Sequence, residues 1–261
     1  MPDDGSPGEV PGMRPTALAT AGPIAIFLPS LAGGGAERVM LNLADGFGAL
    51  GHEVDLVVGS AIGSHGYGLP AVRRVVDLRT RRMLQALPSL ASYLRREQPR
   101  ILISAMEHAS VVALMARNLA RSRVPIVVTA HLDLLASQAY EPPRGTARLM
   151  PWAIRRCYPR AQAIVAVSHG AGSSLARLLG VPSNRVRVIY NPLVSPALLS
   201  RAEEPLAHPW FAPGGPPVFL GVGRLAPQKD FPTLVRAFAR CRRETPARAG
   251  THGLRSGRRA A

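Results

Sequence analysis

Short runs of apolar residues alternate along the chain with longer segments whose apolar residues recur at helical spacing. A short continuous apolar run suits a strand buried on both faces, whereas a spacing of three or four suits a helix with one apolar side. Helices are predicted up to Gly51, over 82–97, up to about 120, over 147–157 and over 172–179. Strands are predicted over 23–29, 54–58, 72–78, 101–104, 125–130, 164–167 and 186–190.

This alternation predicts an α/β fold, because parallel strands are joined by helical crossovers that cover both faces of the sheet. We therefore expect one Rossmann-like domain over residues 23–191. Residues 1–22, which are rich in proline and glycine, are expected to form a disordered leader.

The alternation stops over residues 192–217, where repeated prolines and paired glycines predict a linker. A new unit begins at 218–243, with a predicted strand at 218–222 and a helix at about 231–242. A second α/β domain of ordinary size needs about 100 residues, more than the chain has left after the linker. The tail at 244–261 lacks apolar periodicity, so we expect a frameshift or fragmentary gene, with a true terminal tail as the alternative.

The net charge of +16 indicates an anionic partner, yet Lys229 is the only lysine among 32 basic residues. Such a bias towards arginine, with abundant alanine, glycine and proline, is typical of GC-rich coding. Peripheral association with an anionic membrane is therefore favoured over nucleic acid.

Cys157 and Cys241 are far apart in the sequence, so neither a disulfide framework nor a cysteine metal site is expected. The seven histidines are scattered without metal-ligand spacing. The N-terminus lacks a basic region before an apolar core, and no apolar run reaches membrane-spanning length. We expect a cytoplasmic protein, at most peripheral on the inner face of the membrane.

Four segments carry the candidate chemistry, each where a predicted strand meets the element that follows. They are residues 33–39 (GGGAERV), 129–131 (TAH), 167–170 (VSHG) leading to 188–192 (VIYNP), and 221–230 (GVGRLAPQKD). In this order the chain resembles the retaining glycosyltransferase family 4, over about residues 23–242. The resemblance implies a GT-B-type fold: a Rossmann-like N-terminal acceptor domain plus the first βα unit of an incomplete second Rossmann-like donor domain.

Glycine loops before helices let the backbone approach an anion, and a helix start favours negative charge. Gly34 and Gly35 occupy such a loop, although a tight turn without a ligand has the same pattern. The resemblance implies that their amides face the donor diphosphate. His131 follows a predicted strand, where open α/β sheets bind ligands, although such a residue can also be a polar loop residue. The resemblance makes it the active-site histidine that hydrogen-bonds a hydroxyl of the transferred sugar.

Arg224 and Lys229 flank a proline at the start of a predicted helix, a pattern that suits a diphosphate as well as two solvated surface charges. The resemblance implies that both hold the leaving nucleoside diphosphate and stabilise the charge that develops during transfer. The implied reaction moves a hexosyl group from a nucleotide sugar to a glycan or lipid-linked acceptor, in cell-envelope polysaccharide biosynthesis. It retains the anomeric configuration and needs neither a metal nor a cofactor beyond the nucleotide-sugar substrate.

Two alternatives stay open. The spacing of Gly221, Gly223 and Ala226 also fits the dinucleotide fingerprint of a nicotinamide-dependent dehydrogenase. The family's later motif of two glutamates separated by seven residues does not occur in the chain. We therefore expect little or no transferase activity from these 261 residues, and a non-catalytic acceptor-domain remnant is the other alternative.

Overall fold

Seven parallel strands form one sheet in the order β3-β2-β1-β4-β5-β6-β7. The computed structural model describes residues 22–61, 71–140, 145–194, 196–211, 215, 217–223 and 225–244. The predicted leader, apart from Gly22, and the tail beyond Glu244 lie outside these residues. The strands are β1 Ile24–Ser30, β2 Val54–Ser60, β3 Arg74–Asp77, β4 Ile101–Ala105, β5 Ile126–Ala130, β6 Ala163–Ala166 and β7 Val186–Val188.

Helices lie between successive strands, as is usual for the crossovers of a parallel sheet, except between β2 and β3, where the described residues form none. The helices of the described chain are α1 Gly35–Ala49, α2 Ala86–Glu97, α3 Glu107–Leu119, α4 Leu134–Tyr140, α5 Met150–Cys157, α6 His169–Leu179, α7 Pro196–Ala202 and α8 Phe231–Glu244. One-turn 3₁₀ helices occur at Met83–Gln85, Gly145–Leu149, Tyr158–Arg160, Ser183–Arg185, Pro209–Phe211 and Pro227–Lys229. Every described helix is too short or too polar to span a bilayer.

The central strands are buried on both faces, which explains their unbroken apolar sequence. The first five residues of β1 and the first six of β2 are buried. The α/β Rossmann-like architecture predicted from the apolar runs is confirmed. The core around these two strands also contains Leu31, Met40, Leu41, Ala44, Ile103 and Ala105.

Element ends differ from the sequence expectations where capping and edges intervene. The edge strand β3 alternates between half-buried and exposed residues, and it is shorter than the predicted 72–78. Pro88 is the third residue of α2. Because first-turn amides have no partner within a helix, the proline removes no hydrogen bond there. Helix α6 begins before the predicted residue 172, because the Ser168 hydroxyl accepts a hydrogen bond from the Ala171 amide at 3.2 Å.

A partly buried ion-pair network around the fully buried Asp55 connects the amino ends of β2 and β3. The Asp55 carboxylate accepts hydrogen bonds from Nε and Nη2 of Arg73, both at 2.7 Å, and from the Tyr93 hydroxyl at 2.8 Å. Arg74 bridges Asp55 at 3.1 Å and Glu97 at 2.5 Å. Burial opposes ionisation of Asp55, but the hydrogen bonds outweigh it and lower its pKa below the usual value. This network lies at the edge of the sheet opposite the strands' carboxyl ends, so its role is structural.

The chain divides into two compact units. The first runs to Asp133 and resumes over Gly145–Pro192; it contains the whole sheet. The second comprises the segment from Leu134 to Arg144 and the chain from Leu193 onward. Within the expected linker, the structure forms the helix α7 and the 3₁₀ turn Pro209–Phe211.

The prediction of a strand at 218–222 was wrong, because these described residues form no strand. A strand needs a neighbour to pair with, and the described residues of the second unit contain none. The segment instead lies against α8: the Phe219 and Phe238 ring centroids are 5.4 Å apart. A Cβ built on Gly221 would lie 2.8 Å from the Phe231 ring. The described second unit therefore contains the helix of the expected βα unit without its strand.

Candidate functional site

The sheet order places a topological switch between β1 and β4. From β1 the chain moves outward to β2 and β3, and it then returns to the other side of β1 to form β4. Loops that leave the carboxyl ends of these two strands diverge to opposite sides, which opens the crevice where such sheets bind ligands. The candidate site of the first unit therefore consists of the loops after β1, β4 and β5.

The loop after β1 carries the predicted glycines. Gly33 has a φ of 96°, which favours glycine, and Gly34 precedes the first residue of α1 in an extended conformation. Glu37, in the first turn of α1, folds back so that its carboxylate accepts a hydrogen bond from the Gly34 amide. The Ser30 hydroxyl donates to the same carboxylate at 2.8 Å.

This arrangement separates the two predicted anion-binding amides. Gly34 already donates to a carboxylate that is only 6% exposed, so a diphosphate would compete with Glu37 for that amide. Gly35 begins the helix, and a Cβ built on it meets no atom within 4 Å. First-turn amides have no partner within the helix, so the Gly35 amide is suited to an anion. Its role in anion binding stays a prediction. Glu37 belongs to the glycine-loop segment 33–39, but its contact with Gly34 was not predicted from the sequence.

The loop after β4 was missed by sequence reasoning. Only Met106 separates β4 from α3, and its φ of 72° lies where side chains other than glycine are strained. His108 follows in the first turn of α3. Burial lowers the pKa of His108, and the neighbouring Glu107 carboxylate partly opposes that shift. Glu107 and His108, two polar residues that follow the buried strand after Met106, were the available signal for this loop.

His131 follows β5, as predicted. The Thr129 hydroxyl lies 3.0 Å from the Nε2 atom of His131 and donates to the Ser104 carbonyl at 3.0 Å. The Nδ1 atom of His131 is buried and has no hydrogen-bond partner among the described residues. Burial lowers the pKa of His131, which keeps the ring neutral near pH 7.

The hydroxyl oxygen of Tyr158 is, after Nδ1 of His131, a second buried polar atom in the first unit. The Tyr158 side chain is fully buried, and burial raises the pKa of its hydroxyl. The Ser110 hydroxyl reaches the Ser104 hydroxyl at 3.3 Å. Ser104 and Ser110 therefore belong to one buried polar cluster, which Thr129 extends towards His131.

Arg224 and Lys229, the two cations predicted to bind the diphosphate, come after the first unit in the sequence. Arg224 is outside the described residues. Lys229 is exposed and ends the turn Pro227–Lys229 in the second unit. The carbons of its side chain approach the would-be Cβ position of Gly223 at 3.4 Å. Asp230 then caps α8 by accepting a hydrogen bond from the Thr233 amide at 3.3 Å. Gly34, Gly35 and His131 belong to the first unit.

Among the described residues, no group of three or more histidine, cysteine or acidic side chains could hold a metal ion. Cys157 is half-buried and Cys241 exposed, and neither forms a disulfide. The polar groups at the described carboxyl edge are therefore a carboxylate, hydroxyls, imidazoles and backbone amides. These groups suit recognition of a polyhydroxylated ligand by hydrogen bonding.

Comparison with protein families gives one decisive match. The model of Glycosyltransferase Family 4 matches residues 33–194, which is more than half of the chain. The chain belongs to Glycosyltransferase Family 4. The matched residues begin in the glycine loop and end just after the exit from the first unit, so they include the loops after β1, β4 and β5. No curated protein matches the chain.

Several solved structures are similar to this chain at low sequence identity. Sucrose-phosphate synthase from Thermosynechococcus elongatus is 14% identical, with a TM-score of 0.51 over 65% of this chain and 48% of its own. Anabaena HepE in complex with UDP-glucose is 17% identical, with a TM-score of 0.49 over 69% and 48%. The lipopolysaccharide outer core galactosyltransferase WaaB is 16% identical, with a TM-score of 0.48 over 65% and 46%. The chain spans about half the length of these structures.

Proposed function

We propose that this chain supplies the acceptor-side domain of a nucleotide-sugar-dependent glycosyltransferase. The observation that carries the proposal is the family match at 33–194, which begins in the glycine loop at the switch of the sheet. The proposed reaction transfers a hexosyl group to a glycan or lipid-linked acceptor with retention of configuration. The nucleotide sugar is a substrate, and no resident cofactor or metal takes part.

The proposed roles are those that the family resemblance implies, and they are compatible with the chemistry of each group. The Gly35 amide at the start of α1 favours a diphosphate, because helix N-termini attract anions. Arg224 and Lys229 neutralise the leaving nucleoside diphosphate as the bond to the sugar breaks, which stabilises the transition state more than the ground state. His131 hydrogen-bonds a hydroxyl of the transferred sugar.

The length of the matched structures supports a further point. Sucrose-phosphate synthase, of which this chain covers 48%, is about twice as long as the covered part, so we propose that turnover requires a second domain beyond these 261 residues. The dehydrogenase alternative loses support, because the fingerprint at Gly221 does not follow a strand among the described residues. The alternative of an acceptor-domain remnant that only binds is distinguished from the transferase by the binding and turnover measurements below.

The direct test uses the purified chain and a longer form encoded by the downstream DNA, read in all three frames. The longer form should transfer sugar from one of a panel of nucleotide sugars, and nuclear magnetic resonance of the product should show the retained anomeric configuration. The 261-residue chain should show little or no turnover. Failure of the longer form with every donor would contradict the proposal, and robust turnover by the shorter chain would contradict the need for a second domain.

The same preparations separate the alternatives. Saturable binding of a nicotinamide cofactor, without binding of nucleoside diphosphates, would identify a dehydrogenase. A folded longer form that binds an acceptor glycan but neither hydrolyses nor transfers nucleotide sugars would identify a binding-only protein.

We also propose that the protein acts on the inner face of the membrane, at an anionic surface. The net charge of +16 supports this, as does an exposed apolar and basic surface in the first unit. Leu149 and Trp152 are 63% and 67% exposed, and the exposed Arg156 lies four residues after Trp152 in α5, one turn along the same helix face. An aromatic ring beside arginine suits the boundary between headgroups and acyl chains. Sedimentation with phosphatidylglycerol vesicles should exceed that with phosphatidylcholine vesicles and should fall for Trp152→Ala; equal sedimentation would contradict the proposal.

A further inference from the structure

Three residues at the carboxyl edge of the sheet form a directed hydrogen-bond chain. The Thr129 hydroxyl lies 3.0 Å from the carbonyl oxygen of Ser104 and 3.0 Å from Nε2 of His131. A carbonyl oxygen only accepts, and a threonine hydroxyl has a single proton to donate. Because that proton is given to Ser104, the Thr129 oxygen can only accept from His131. Nε2 of His131 must therefore carry a proton.

The other ring nitrogen supports the same assignment. Nδ1 of His131 is buried without a partner among the described residues. With the proton on Nδ1, the ring would bury an unsatisfied N–H, and Thr129 would have to turn its proton away from Ser104. The Ser104 carbonyl would keep only the longer hydrogen bond from the Ser110 hydroxyl, at 3.4 Å, and the buried Nδ1–H would have no acceptor among the described residues. An unsatisfied buried donor is a costlier defect than an unsatisfied acceptor nitrogen. Burial lowers the pKa of His131, so the doubly protonated ring is also disfavoured.

The geometry points to Thr129 as a positioning residue, which holds His131 in the Nε2–H tautomer and leaves Nδ1 as a hydrogen-bond acceptor. The order of the sequence makes this possible. Residues two apart on a strand face the same side, so Thr129 and His131 can meet where β5 ends. The Thr129 side chain is branched at Cβ, which restricts its rotamers and keeps its hydroxyl in place.

The assignment has a consequence for specificity that rests on the proposed function. If His131 contacts a hydroxyl of the sugar, that hydroxyl must donate its proton to Nδ1, because Nδ1 has none to offer. A sugar whose hydroxyl is replaced by fluorine or a methoxy group can only accept, so it should bind as poorly as the deoxy sugar. Since Nδ1 is closed to solvent here, a ligand must displace the atoms that cover it.

The test reads the ring directly, in the full 261-residue chain labelled with ¹⁵N-histidine. Long-range ¹H–¹⁵N spectra near pH 7.5 distinguish a protonated from an unprotonated ring nitrogen, and His131→Gln identifies the signals of His131. The wild type and Thr129→Ser should show Nε2 protonated and Nδ1 unprotonated. Thr129→Val keeps the shape of the side chain without its hydroxyl, so the proton should redistribute between the two nitrogens.

Two results would overturn the proposal: a proton on Nδ1 in the wild type, or a His131 spectrum unchanged by Thr129→Val. The signals of the other histidines report whether each variant is folded. If Thr129→Val does not fold, the wild-type and Thr129→Ser spectra still decide the tautomer. No sugar is needed, so a failed search for a nucleotide-sugar substrate would count against the proposed function and leave the tautomer assignment standing.

Discussion

The carboxylate of Glu37 accepts a hydrogen bond from the amide of Gly34, three residues before it in the chain. The glycine loop therefore carries its own acceptor at the start of α1. With Ser30 donating to the same carboxylate at 2.8 Å, this buried side chain joins the end of β1 to the first turn of the helix.

Glu37→Ala should lower the free energy of unfolding by about 1–3 kcal/mol, because it leaves the Gly34 amide and the Ser30 hydroxyl without their acceptor. Glu37→Gln keeps an acceptor oxygen and should cost less. Urea denaturation followed by circular dichroism measures both. Asp45→Ala, an exposed carboxylate on the same helix, is the matched control, and it should change stability by less than about 0.5 kcal/mol. An equal effect of Glu37→Ala and Asp45→Ala would show that the contact is not stabilising.

Asp55→Ala should be more damaging, with a loss of about 2–4 kcal/mol. It removes the acceptor of the buried Tyr93 hydroxyl and of two guanidinium groups. The loss stays below that for a fully buried pair because Arg73 and Arg74 have side chains 33% and 39% exposed and can be hydrated. The midpoint of urea unfolding measures the change. A variant as stable as the wild type would show that the network contributes no net stability.

Acidification should destabilise the first unit through its histidines. Burial lowers the pKa of both His108 and His131 in the folded state. Well above pH 6.5, the pKa of an unfolded histidine, both states are neutral and stability is fully present. As the pH falls below 6.5 the unfolded state takes up protons first, so stability decreases. Each ring contributes at most about 1.4 kcal/mol per pH unit. Unfolding free energies between pH 7.5 and 5.5 should therefore fall in the wild type and fall less in His131→Gln. An identical slope in the two proteins would contradict this.

Lys229 and His131 should separate in binding and in turnover once the second domain is present. Lys229→Ala removes a charge-assisted contact to the leaving diphosphate, which costs about 2–4 kcal/mol, or roughly a 30- to 1,000-fold lower rate. His131→Ala should lower turnover and leave the affinity for free nucleoside diphosphate nearly intact, because its partner is a hydroxyl. Arg240→Ala is the control, since its pair with Glu244 is exposed. Equal losses of diphosphate affinity for Lys229→Ala and His131→Ala would show that the roles are assigned wrongly.

Hydrogen exchange should divide the chain near residue 192. Amides in the paired strands of the first unit should be protected, because they lie in a sheet covered on both sides. Amides at 217–222 should exchange quickly, since these residues form no strand and Leu220 and Val222 are 69% and 82% exposed. Mass spectrometry of peptic peptides measures both regions. Equal protection of the two would mean that the second unit has a core of its own.

The sheet was predictable because strands buried on both faces leave short continuous apolar runs, and segments with helical spacing lie between most of these runs. β1, β2 and β5 therefore appeared in the sequence with nearly their observed ends. The strand predicted at 218–222 failed for the opposite reason: its residues are apolar, but pairing depends on a neighbouring strand that apolar character cannot supply. The sequence analysis also missed α4 and α7, because seven residues are too few to show a clear helical period.

The candidate site was predictable in position and not in its contacts. His131 was expected at the end of a strand, and it is found there. Its bond to Thr129 depends on which rotamer each side chain adopts. Glu37 could likewise be seen as a helix-start residue, whereas its choice of the Gly34 amide depends on the path of the loop. Spacing in the sequence indicates which residues can meet, and only packing decides which do.

The single residue that joins β4 to α3 leaves no slack in the chain at the switch of the sheet. Each residue of a helix advances it by about 100°, so one residue inserted beside Met106 would turn α3 by that angle about its axis. Each side chain would move to the place of the next residue, so Met115 and His108 would enter the positions that the buried Ala116 and Ala109 now occupy. Length, more than residue type, is therefore what this junction must preserve, and insertions tolerated in the surface loops should be lethal to folding here.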